Sequence, residues 1–500
     1  MKLVPCIAWV GRGVPSATPH KVKLAKEELQ QLLQGASAVS AESSESDGGE
    51  QSTSERGQRG LRGSNARKRE ANDEDSDSGP DNDDADKRYD MAKYDEDDDM
   101  TEDQHLKGLA VFASNEDDPY VANQDSDDDD EDFKLRPDDN LLLLGRVMED
   151  EYGLEVYVYN ENGDSFYIHH DYPLDCPPIC IETINYDPGN ERQGGNLCAV
   201  GGLSNVVQLW DLDLVESVEP VGILGSPDDG KKKKKKKAKK GEDDGGETSA
   251  EPKKKKKKAI SHTEAILDLS WNRNMPHILA SCSADMSVIL WDIDVGQGSN
   301  VLTNHTDKVQ AVKWHPLEEN LLLSGGCDGL LNLWDCRQCA SQRQWSLPGV
   351  EVEKVHWNRW EPFWFFATSD TGDIFHIDTR QETVQAGNRM EKAHEDAVSG
   401  VALHPTTRHC LASCGVDGVV KIWSSQGAGE KPLRLVTKKK LKLGKLFCCS
   451  FCPDNPWMLA VGGESEDGVY LWDIRADEKV TQEFGVATGN EERQQGRDDE

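Results

Sequence analysis

The sequence predicts an all-β fold, a seven-bladed β-propeller in which small antiparallel sheets repeat around a central axis. Two series of bulky residues recur along the chain at nearly constant spacing. Between them lie short apolar runs and turns that carry Asp, often followed by Gly. Radial repetition of short sheets leaves few strand edges exposed, so a propeller accounts for these observations together.

The first series marks the end of one strand in each repeat, where Trp or an equivalent residue is usually followed by Asp. From Trp291 onward the intervals between its members are 43, 43, 46 and 49 residues. A longer interval before Trp291 contains a lysine-rich segment. The seven positions are residues 156–159, Trp210, Trp291, Trp334, Ile377, Trp423 and Trp472.

The second series lies 20 or 21 residues before the first from Trp271 onward and marks the inner strand of each repeat. Asp328-Gly329 and Asp417-Gly418 lie between short β-rich runs, which is a strong signal for a hairpin. Each repeat is therefore several antiparallel strands. The series has six members: Tyr186, Trp271, Trp314, Trp357, Leu403 and Phe451.

Six inner strands leave the seventh to be found. Residues 6–10 (Cys-Ile-Ala-Trp-Val) have the form of the other inner strands, so we predict that the N-terminus completes blade one. Strands near residues 141–145 and 154–159 would follow it. The alternative inner strand is residues 109–112 (Leu-Ala-Val-Phe) within 106–112.

Charge is concentrated in one part of this acidic chain. Residues 41–140 carry 34 acidic and 12 basic side chains, and so −22 of the net charge of −36. Such a segment cannot bury enough apolar surface to offset its chain entropy. The predicted divisions are an inner strand at 1–12, a helix (21–33) and then mostly disordered acidic residues within 13–139, blades one and two at 140–225, a disordered lysine-rich insertion at 226–260, blades three to seven at 261–485, and a disordered tail at 486–500.

A Gly-His-like turn, a hairpin Asp and a terminal Trp-Asp resemble the WD-repeat family. The resemblance implies a buried hydrogen-bond network in each blade, made by a His, a strand Ser or Thr, the hairpin Asp and the Trp. The blade ending at Ile377 keeps Thr368 and Asp370 but lacks the Trp, so its network stays open. The sets carried over are His262, Ser281, Asp285 and Trp291; His305, Ser324, Asp328 and Trp334; and His394, Ser413, Asp417 and Trp423.

These His and Asp residues recur at one repeat position, whereas a catalytic constellation would occur once. We therefore predict no enzyme activity, no catalytic residue, no cofactor and no metal. Cys336 and Cys339 have metal-ligand spacing but no second pair, and Cys448, Cys449 and Cys452 fit a buried inner strand. Thirteen Cys without a signal peptide indicate a reducing compartment, and we expect no membrane span and no small-molecule substrate.

Two lysine runs lie between blades two and three and must be solvated. We interpret them as nuclear or nucleolar targeting, with RNA contact by counterion release as a companion role. The alternative is a tolerated low-complexity insertion. The residues assigned to targeting are Lys231, Lys232, Lys233, Lys234, Lys253, Lys254, Lys255 and Lys256.

Five serines lie in the acidic segment, and all but Ser78 are followed directly by Asp or Glu, which resembles casein-kinase-type acceptor sites. Phosphorylation would deepen the negative charge there. The acidic segment itself fits either basic protein partners or a solvating spacer. The candidate serines are Ser44, Ser46, Ser76, Ser78 and Ser126.

Several segments outside the repeats resemble the periodic tryptophan protein 1 family over nearly the whole chain. The resemblance implies a nuclear and nucleolar assembly factor for ribosomal RNA production and large-subunit maturation, with protein partners in pre-ribosomal or chromatin complexes. We expect partners at the hairpin turns, around Ala284, Cys327, Ser369 and Val416. Alternatives are a substrate receptor of a ubiquitin ligase and a chromatin-binding transcription regulator. The segments are residues 6–10, 89–95, 118–121, 165–171 and 207–213.

Overall fold

Seven antiparallel sheets form a closed ring in the computed structural model of this chain. The innermost strands of successive sheets contact one another in order, and the last contacts the first. The predicted seven-bladed propeller is therefore confirmed. The residues described are 2–21, 133–149, 151–189, 194–226, 260–426, 433–465 and 468–485.

Blades one and two contain the N-terminal strand and the strands that follow residue 139. Blade one has the strand order β1-β3-β4-β5, and blade two has β10-β8-β7-β6. A separate two-residue parallel pair joins β2 and β9. The bounds are β1 Lys2–Val10, β2 His20–Lys21, β3 Asn140–Met148, β4 Glu151–Asn160, β5 Ser165–Pro173, β6 Pro178–Ile184, β7 Leu197–Gly202, β8 Val207–Asp211, β9 Leu214–Val215 and β10 Gly222–Leu224.

Blades three, four and five are four-stranded meanders in chain order. Neighbouring blades cover both faces of each sheet, so the second and third strands are almost continuous apolar runs. The bounds are β11 Ile266–Trp271, β12 Ile278–Ser283, β13 Val288–Asp292, β14 Gln297–Leu302, β15 Val309–Trp314, β16 Leu321–Gly326, β17 Leu330–Asp335, β18 Ala340–Ser346, β19 Val352–Trp357, β20 Trp364–Ser369, β21 Ile374–Asp378 and β22 Arg389–Met390.

Blade six has four strands, and blade seven has three strands among the described residues. A short helix, α1, follows blade seven. Its first turn is capped by the Asp477 carboxylate, which accepts from the backbone N–H of Lys479, and it ends at Gly485 with φ 68°. The bounds are β23 Gly400–Leu403, β24 Cys410–Cys414, β25 Val419–Ser424, β26 Arg434–Lys440, β27 Leu446–Phe451, β28 Met458–Gly463, β29 Val469–Asp473 and α1 Glu478–Phe484.

The inner strand of blade one is the N-terminal β1. It pairs antiparallel with β3, from Lys2 opposite Met148 to Val10 opposite Leu141, with one irregularity after Leu3. The alternative strand, residues 106–112, lies outside the described residues. Blade one is therefore assembled from two parts of the chain separated by more than a hundred residues.

The ring closes where blade seven meets blade one, a contact that we call the closure seam. No sheet of the described residues contains strands from both blades, so side chains make this junction. The indole N–H of Trp9 donates to the Ser450 carbonyl over 3.2 Å. The Asp454 carboxylate accepts from the backbone N–H of Arg12 at 2.8 Å and from Asn140 Nδ2 at 2.6 Å.

Two further contacts complete the closure seam toward the rim. Asn455 Nδ2 donates to the hydroxyl of Tyr159 over 3.1 Å. Arg475 Nη2 donates to Glu161 Oε1 over 2.9 Å while the same guanidinium also binds Asp473. The two residues of each pair do not occupy equivalent positions of the repeat.

Candidate functional site: blade relays and the central channel

Three blades contain the same line of buried polar side chains, which we call the relay. In blade three, Trp291 Nε1 donates to Ser281 Oγ over 2.7 Å. Ser281 Oγ lies 2.8 Å from His262 Nε2, and His262 Nδ1 lies 2.9 Å from Asp285 Oδ2. The four side chains named from the sequence are thus in hydrogen-bond contact in one chain.

The strand pattern explains why these four residues meet. His262 precedes β11, Ser281 lies within β12, and Asp285 lies in the turn to β13, where Trp291 points back at Ser281. The Asp285 carboxylate also accepts from the backbone N–H of Thr263, which ties the turn to the segment before the inner strand. The relay therefore holds three parts of one blade together.

Blades four and six repeat this geometry. The indole nitrogen lies 2.8 Å from the serine hydroxyl in both, for Trp334 and Ser324 and for Trp423 and Ser413. The distance from the serine Oγ to the histidine Nε2 is 2.8 Å for His305 and 2.7 Å for His394. His Nδ1 lies 3.1 Å from the carboxylate oxygens of Asp328 and Asp417 respectively.

The electrostatics favour an ionised Asp in blade three and a neutral His in blade six. Burial alone would raise the pKa of the Asp285 carboxyl, but hydrogen bonds from His262, Ser287 and Thr263 hold it well below its ordinary value. Burial lowers the pKa of His394 despite the neighbouring Asp417. A neutral ring that donates from Nδ1 and accepts at Nε2 satisfies every member of the relay. Both ring nitrogens are thereby occupied within the blade, which is a structural arrangement.

Blade five does not contain the relay. In blade four, Trp334 lies opposite Leu322, and the relay serine is two residues after Leu322. In blade five, Ile377 lies opposite Phe365, and the residue two positions after Phe365 is Ala367. Thr368 and Asp370 consequently do not occupy relay positions. Thr368 Oγ1 instead donates to the Val398 carbonyl at 3.0 Å, and the carboxylate of Asp370 accepts from the backbone N–H of Glu351 at 2.8 Å.

Blade five contains an ion pair instead, in which the carboxylate is buried and the guanidinium is exposed. Arg389 Nη2 lies 2.6 Å from Asp373 Oδ2, and the carboxylate also accepts from Thr371 Oγ1 at 3.0 Å. Although burial would raise it, the hydrogen bonds from Arg389 and the Lys392 backbone lower the pKa of Asp373. Sequence reasoning missed this pair because Arg389 has no counterpart in the repeat.

A second recurring contact was also missed. After the third strand of three blades, an Asp carboxylate binds the Arg two residues later, as in Asp335 with Arg337 at 2.8 Å. Asp378 with Arg380 is also 2.8 Å apart, and Asp473 with Arg475 is 2.9 Å apart. The signal was present as Asp-x-Arg directly after the first residue series.

The cysteines give no sign of a site. All thirteen are free thiols, and the described residues hold no group of three potential metal ligands. The Cys339 thiol donates a hydrogen bond to the Cys336 carbonyl over 3.5 Å. Burial raises the pKa of Cys336 to about 12 and that of Cys452 to about 11, so neither thiol is poised as a thiolate.

The central channel opens into a cavity of ≈640 Å³ lined by the inner strands and the turns after them. Lys313 Nζ lies 3.4 Å from Glu182 Oε2, and Lys354 Nζ lies 3.8 Å from Asp268 Oδ1. Burial would lower the pKa of Lys313, but Asp268 and Glu182 raise it above its ordinary value. Lys313 therefore stays protonated, and each of the two lysines of the channel wall is paired with a carboxylate.

The residues expected to meet partners at the hairpin turns are small and partly covered. Ala284, Cys327 and Val416 are half-buried, and Ser369 is buried. Nothing in the described residues tests their role, which stays a prediction. No helix among the described residues is long and apolar enough to cross a membrane.

The predicted targeting and phosphorylation sites lie outside the described residues. Residues 227–259 contain the eight assigned lysines, and residues 22–132 contain the five candidate serines and nearly all of the expected helix. The domain divisions in these ranges and in residues 486–500 likewise stay predictions.

Comparison with known proteins identifies relatives over the full chain. The WD domain, G-beta repeat family model matches residues 254–292, 296–335 and 388–424, which cover the third strands of the three relay blades. The chain is 31% identical over 487 residues to a Drosophila melanogaster protein named periodic tryptophan protein 1 homolog, covering 97% of this chain and 96% of the relative.

A Saccharomyces cerevisiae protein named periodic tryptophan protein 1 is 26% identical over 537 residues, covering 96% of this chain and 90% of the relative. Among solved structures, a chain of the mitotic checkpoint complex is 16% identical, with a TM-score of 0.48, and the match covers 67% of this chain and 84% of that chain.

Proposed function

Because this chain belongs to the periodic tryptophan protein 1 family, we propose that it is a non-catalytic scaffold of ribosome biogenesis. In this proposal it acts in the nucleus and nucleolus, in ribosomal RNA production and processing and in maturation of the large subunit. It associates with proteins of pre-ribosomal complexes and with chromatin at ribosomal genes.

The observation that carries the non-catalytic part is the relay. In blades three, four and six, the recurring His and Asp side chains bind one another and a serine within the sheet. Both ring nitrogens of each His are engaged, so none of these rings offers a base to a substrate. A rigid ring with polar groups satisfied internally supports a role as a platform for other macromolecules.

The lysine-rich segment supports the localisation and a contact with RNA. Residues 231–237 and 253–258 are unbroken lysine runs in a chain that is otherwise strongly acidic. Such runs serve as nuclear or nucleolar signals and bind polyanions by releasing counterions. Replacing the lysines with Ser and Gly at equal length tests both roles. Loss of nucleolar retention supports targeting, and loss of RNA crosslinks at low salt supports contact.

Affinity purification of the full chain after nuclease treatment tests the function itself. We expect large-subunit ribosomal proteins and pre-ribosomal assembly factors to copurify in the absence of intact RNA. Recovery of a ubiquitin-ligase scaffold without pre-ribosomal proteins would overturn the proposal in favour of a substrate receptor. Recovery of chromatin proteins alone would favour a transcription regulator.

A further inference from the structure

The two ends of the propeller differ in what they expose. The hairpin face is formed by the turns that hold the relay carboxylates, such as Asp285 and Asp328. The turn face is the opposite end, formed by the turns between the first and second strands, such as residues 315–320 and 358–363. The central cavity is lined by residues of the turn face, including Leu317 and Arg359.

Large apolar side chains are exposed on two neighbouring turns of the turn face. Leu317 is 65% exposed, Phe363 is 54% exposed and Trp360 is 38% exposed. Leu317 belongs to the turn of blade four, and the two aromatic residues belong to the turn of blade five. Together we call these three residues the apolar strip. Single apolar residues are ordinary on a surface, but three on neighbouring turns, two of them aromatic, are typical of an interface.

Hydrogen bonds between blades hold the apolar strip in place. His315 Nε2 lies 3.0 Å from the carbonyl of Pro362, which joins the turns of blades four and five. Arg359 Nη1 donates to the carbonyl of Pro405 over 3.2 Å, which joins blades five and six. Arg408 and Glu361 form an ion pair of 3.1 Å across the same boundary. A surface fixed in this way loses little conformational entropy when it binds.

Guanidinium groups surround the apolar strip. Arg359 lies over the Trp360 ring at 5.6 Å, and Arg380 lies over the Phe363 ring at 5.0 Å. Arg359 and Arg273 are exposed, and neither has a carboxylate partner among the described residues. Both line the mouth of the central cavity, where four cationic side chains face two carboxylates. Aromatic residues and Arg are the residue types that dominate binding energy at protein interfaces.

The charges at the cavity mouth act on one another. Burial, followed by the charges of Lys313, Arg359 and Arg273, lowers the pKa of His356 to about 4. Lys313, Arg359, Arg273 and His356 all line this one cavity. A carboxylate that entered this mouth would meet uncompensated positive charge, even though the chain as a whole is acidic.

The pattern of charge favours a peptide over a nucleic acid. Arg380 and Arg408 are already paired, with Asp378 and Glu361 respectively. Glu318 and Glu319 are exposed directly after Leu317, where they would repel a phosphodiester backbone, which carries a negative charge on every nucleotide. They would also repel a carboxylate beside Leu317, so the acidic residues of a bound peptide must lie away from them. Isolated carboxylates can instead be placed against the two unpaired guanidinium groups while apolar side chains cover the strip.

We propose that the turn face docks an acidic peptide segment of a protein partner. The segment places bulky apolar side chains against Leu317, Trp360 and Phe363 and carboxylates against Arg273 and Arg359. This inference rests on the proposed function only in taking the propeller to be a platform for proteins. It adds which face binds and what chemistry the bound segment has.

Selection of binders from a random twelve-residue peptide library on the full chain tests the proposal. We expect enriched peptides to combine Asp or Glu with Leu, Phe or Trp. Binding should fall roughly tenfold or more in Trp360→Ala and in Arg359→Glu, as for residues at the centre of an interface. Leu317→Ala should weaken binding, whereas Leu203→Ala, a Leu of 61% exposure on the hairpin face, should leave it unchanged.

Three results would overturn the proposal: no enriched peptide, enrichment of basic peptides, or equal losses in Leu317→Ala and Leu203→Ala. Tighter binding of a twelve-nucleotide oligouridine than of any selected peptide, lost in the same variants, would assign the surface to RNA instead. Unchanged thermal unfolding of each variant is the control for folding. Copurification of pre-ribosomal proteins is measured separately, so failure of the docking surface is distinguishable from failure of the proposed function.

Discussion

The relay blades and the closure seam are held together in different ways. In blades three, four and six, one set of four residue types recurs with distances that agree within a few tenths of an ångström, as for His262 and His394 with their serines. At the closure seam, each contact is made by a different pair, such as Trp9 with Ser450 or Arg475 with Glu161. The repeat therefore stabilises individual blades, while closure of the ring depends on side chains that occur once.

The comparison shows that the relay is dispensable for the sheet itself. Blade five has the same strand order with Ala367 and Ile377 in place of Ser and Trp, and it uses Asp373 with Arg389 instead. Buried apolar strands covered on both faces are enough to form a blade. The hydrogen bonds of the relay then fix the register of the strands and the position of the hairpin turn.

Removal of β1 should have the largest effect, because it takes the inner strand from blade one and half of the closure seam with it. We expect deletion of residues 1–12 to abolish cooperative unfolding or to lower Tm by more than 10 °C, roughly the effect of several kcal/mol. Circular dichroism melting measures this. A synthetic peptide of residues 1–12 added in trans should restore part of the loss. An unchanged Tm would show that the seam does not close the ring.

Lowering the pH should cause the next largest loss of stability. We expect this loss to arise within the blades, because the contacts described at the closure seam involve no His. Burial lowers the pKa of His404 to about 4, against about 6.5 in an unfolded chain. The folded state then binds fewer protons between these values, so stability is present above pH 6.5 and is lost as the pH falls toward 4. His404 alone accounts for about 2 to 3 kcal/mol.

Urea unfolding at pH 7.0 and pH 4.5 checks this expectation. His404→Asn keeps an acceptor for the backbone N–H groups of Thr406 and Thr407, which Nδ1 of the ring accepts at 3.3 and 2.9 Å. The variant should lose less stability between the two pH values than the unaltered chain. Equal losses in both proteins would show that this ring is not the titrating group.

Breaking one relay should have a moderate effect. Ser281→Ala leaves the Trp291 N–H and His262 Nε2 buried without the hydroxyl that joins them, at an expected cost of about 1 to 3 kcal/mol. Ser346→Ala, at an exposed serine of β18, is the matched control and should cost nothing measurable. Chemical denaturation compares the two. Equal stability of both variants would mean that the relay carries no net energy.

Single contacts at the closure seam should have the smallest effects. Glu161→Gln removes the charge that Arg475 binds at 2.9 Å, but Glu161 is partly exposed and Asp473 still holds the guanidinium. We expect a loss below about 1 kcal/mol. Trp9→Phe should cost about as much, since it removes one hydrogen bond of 3.2 Å and keeps the packing. If the double variant lost far more free energy of unfolding than the two single variants together, the two contacts would act cooperatively across the seam.

Periodicity made the fold and the relays predictable, because each relay member sits at a fixed offset from a Trp. The same reasoning placed an inner strand at residues 6–10 by its resemblance to the strand around Trp271. It failed in blade five, where the absence of Trp removed the reference for register and Thr368 was aligned one position away from Ala367. It could not find Asp454 or the apolar strip, because contacts between blades depend on three-dimensional neighbours that no spacing encodes.

The pairing of β1 with β3 also sets an order of events during synthesis. Residues 2–10 leave the ribosome long before their partner strand, which begins at residue 140, and longer still before their seam partner Ser450. At a synthesis rate of about 5 to 20 residues per second, roughly 20 to 90 seconds separate the synthesis of Trp9 from that of Ser450. Until β3 has been synthesised the first strand is an apolar edge without its pairing strand, and until blade seven has been synthesised it lacks its seam partners, which is a hazard for aggregation. A protein or chaperone that bound the nascent N-terminus would therefore control when the ring can be completed.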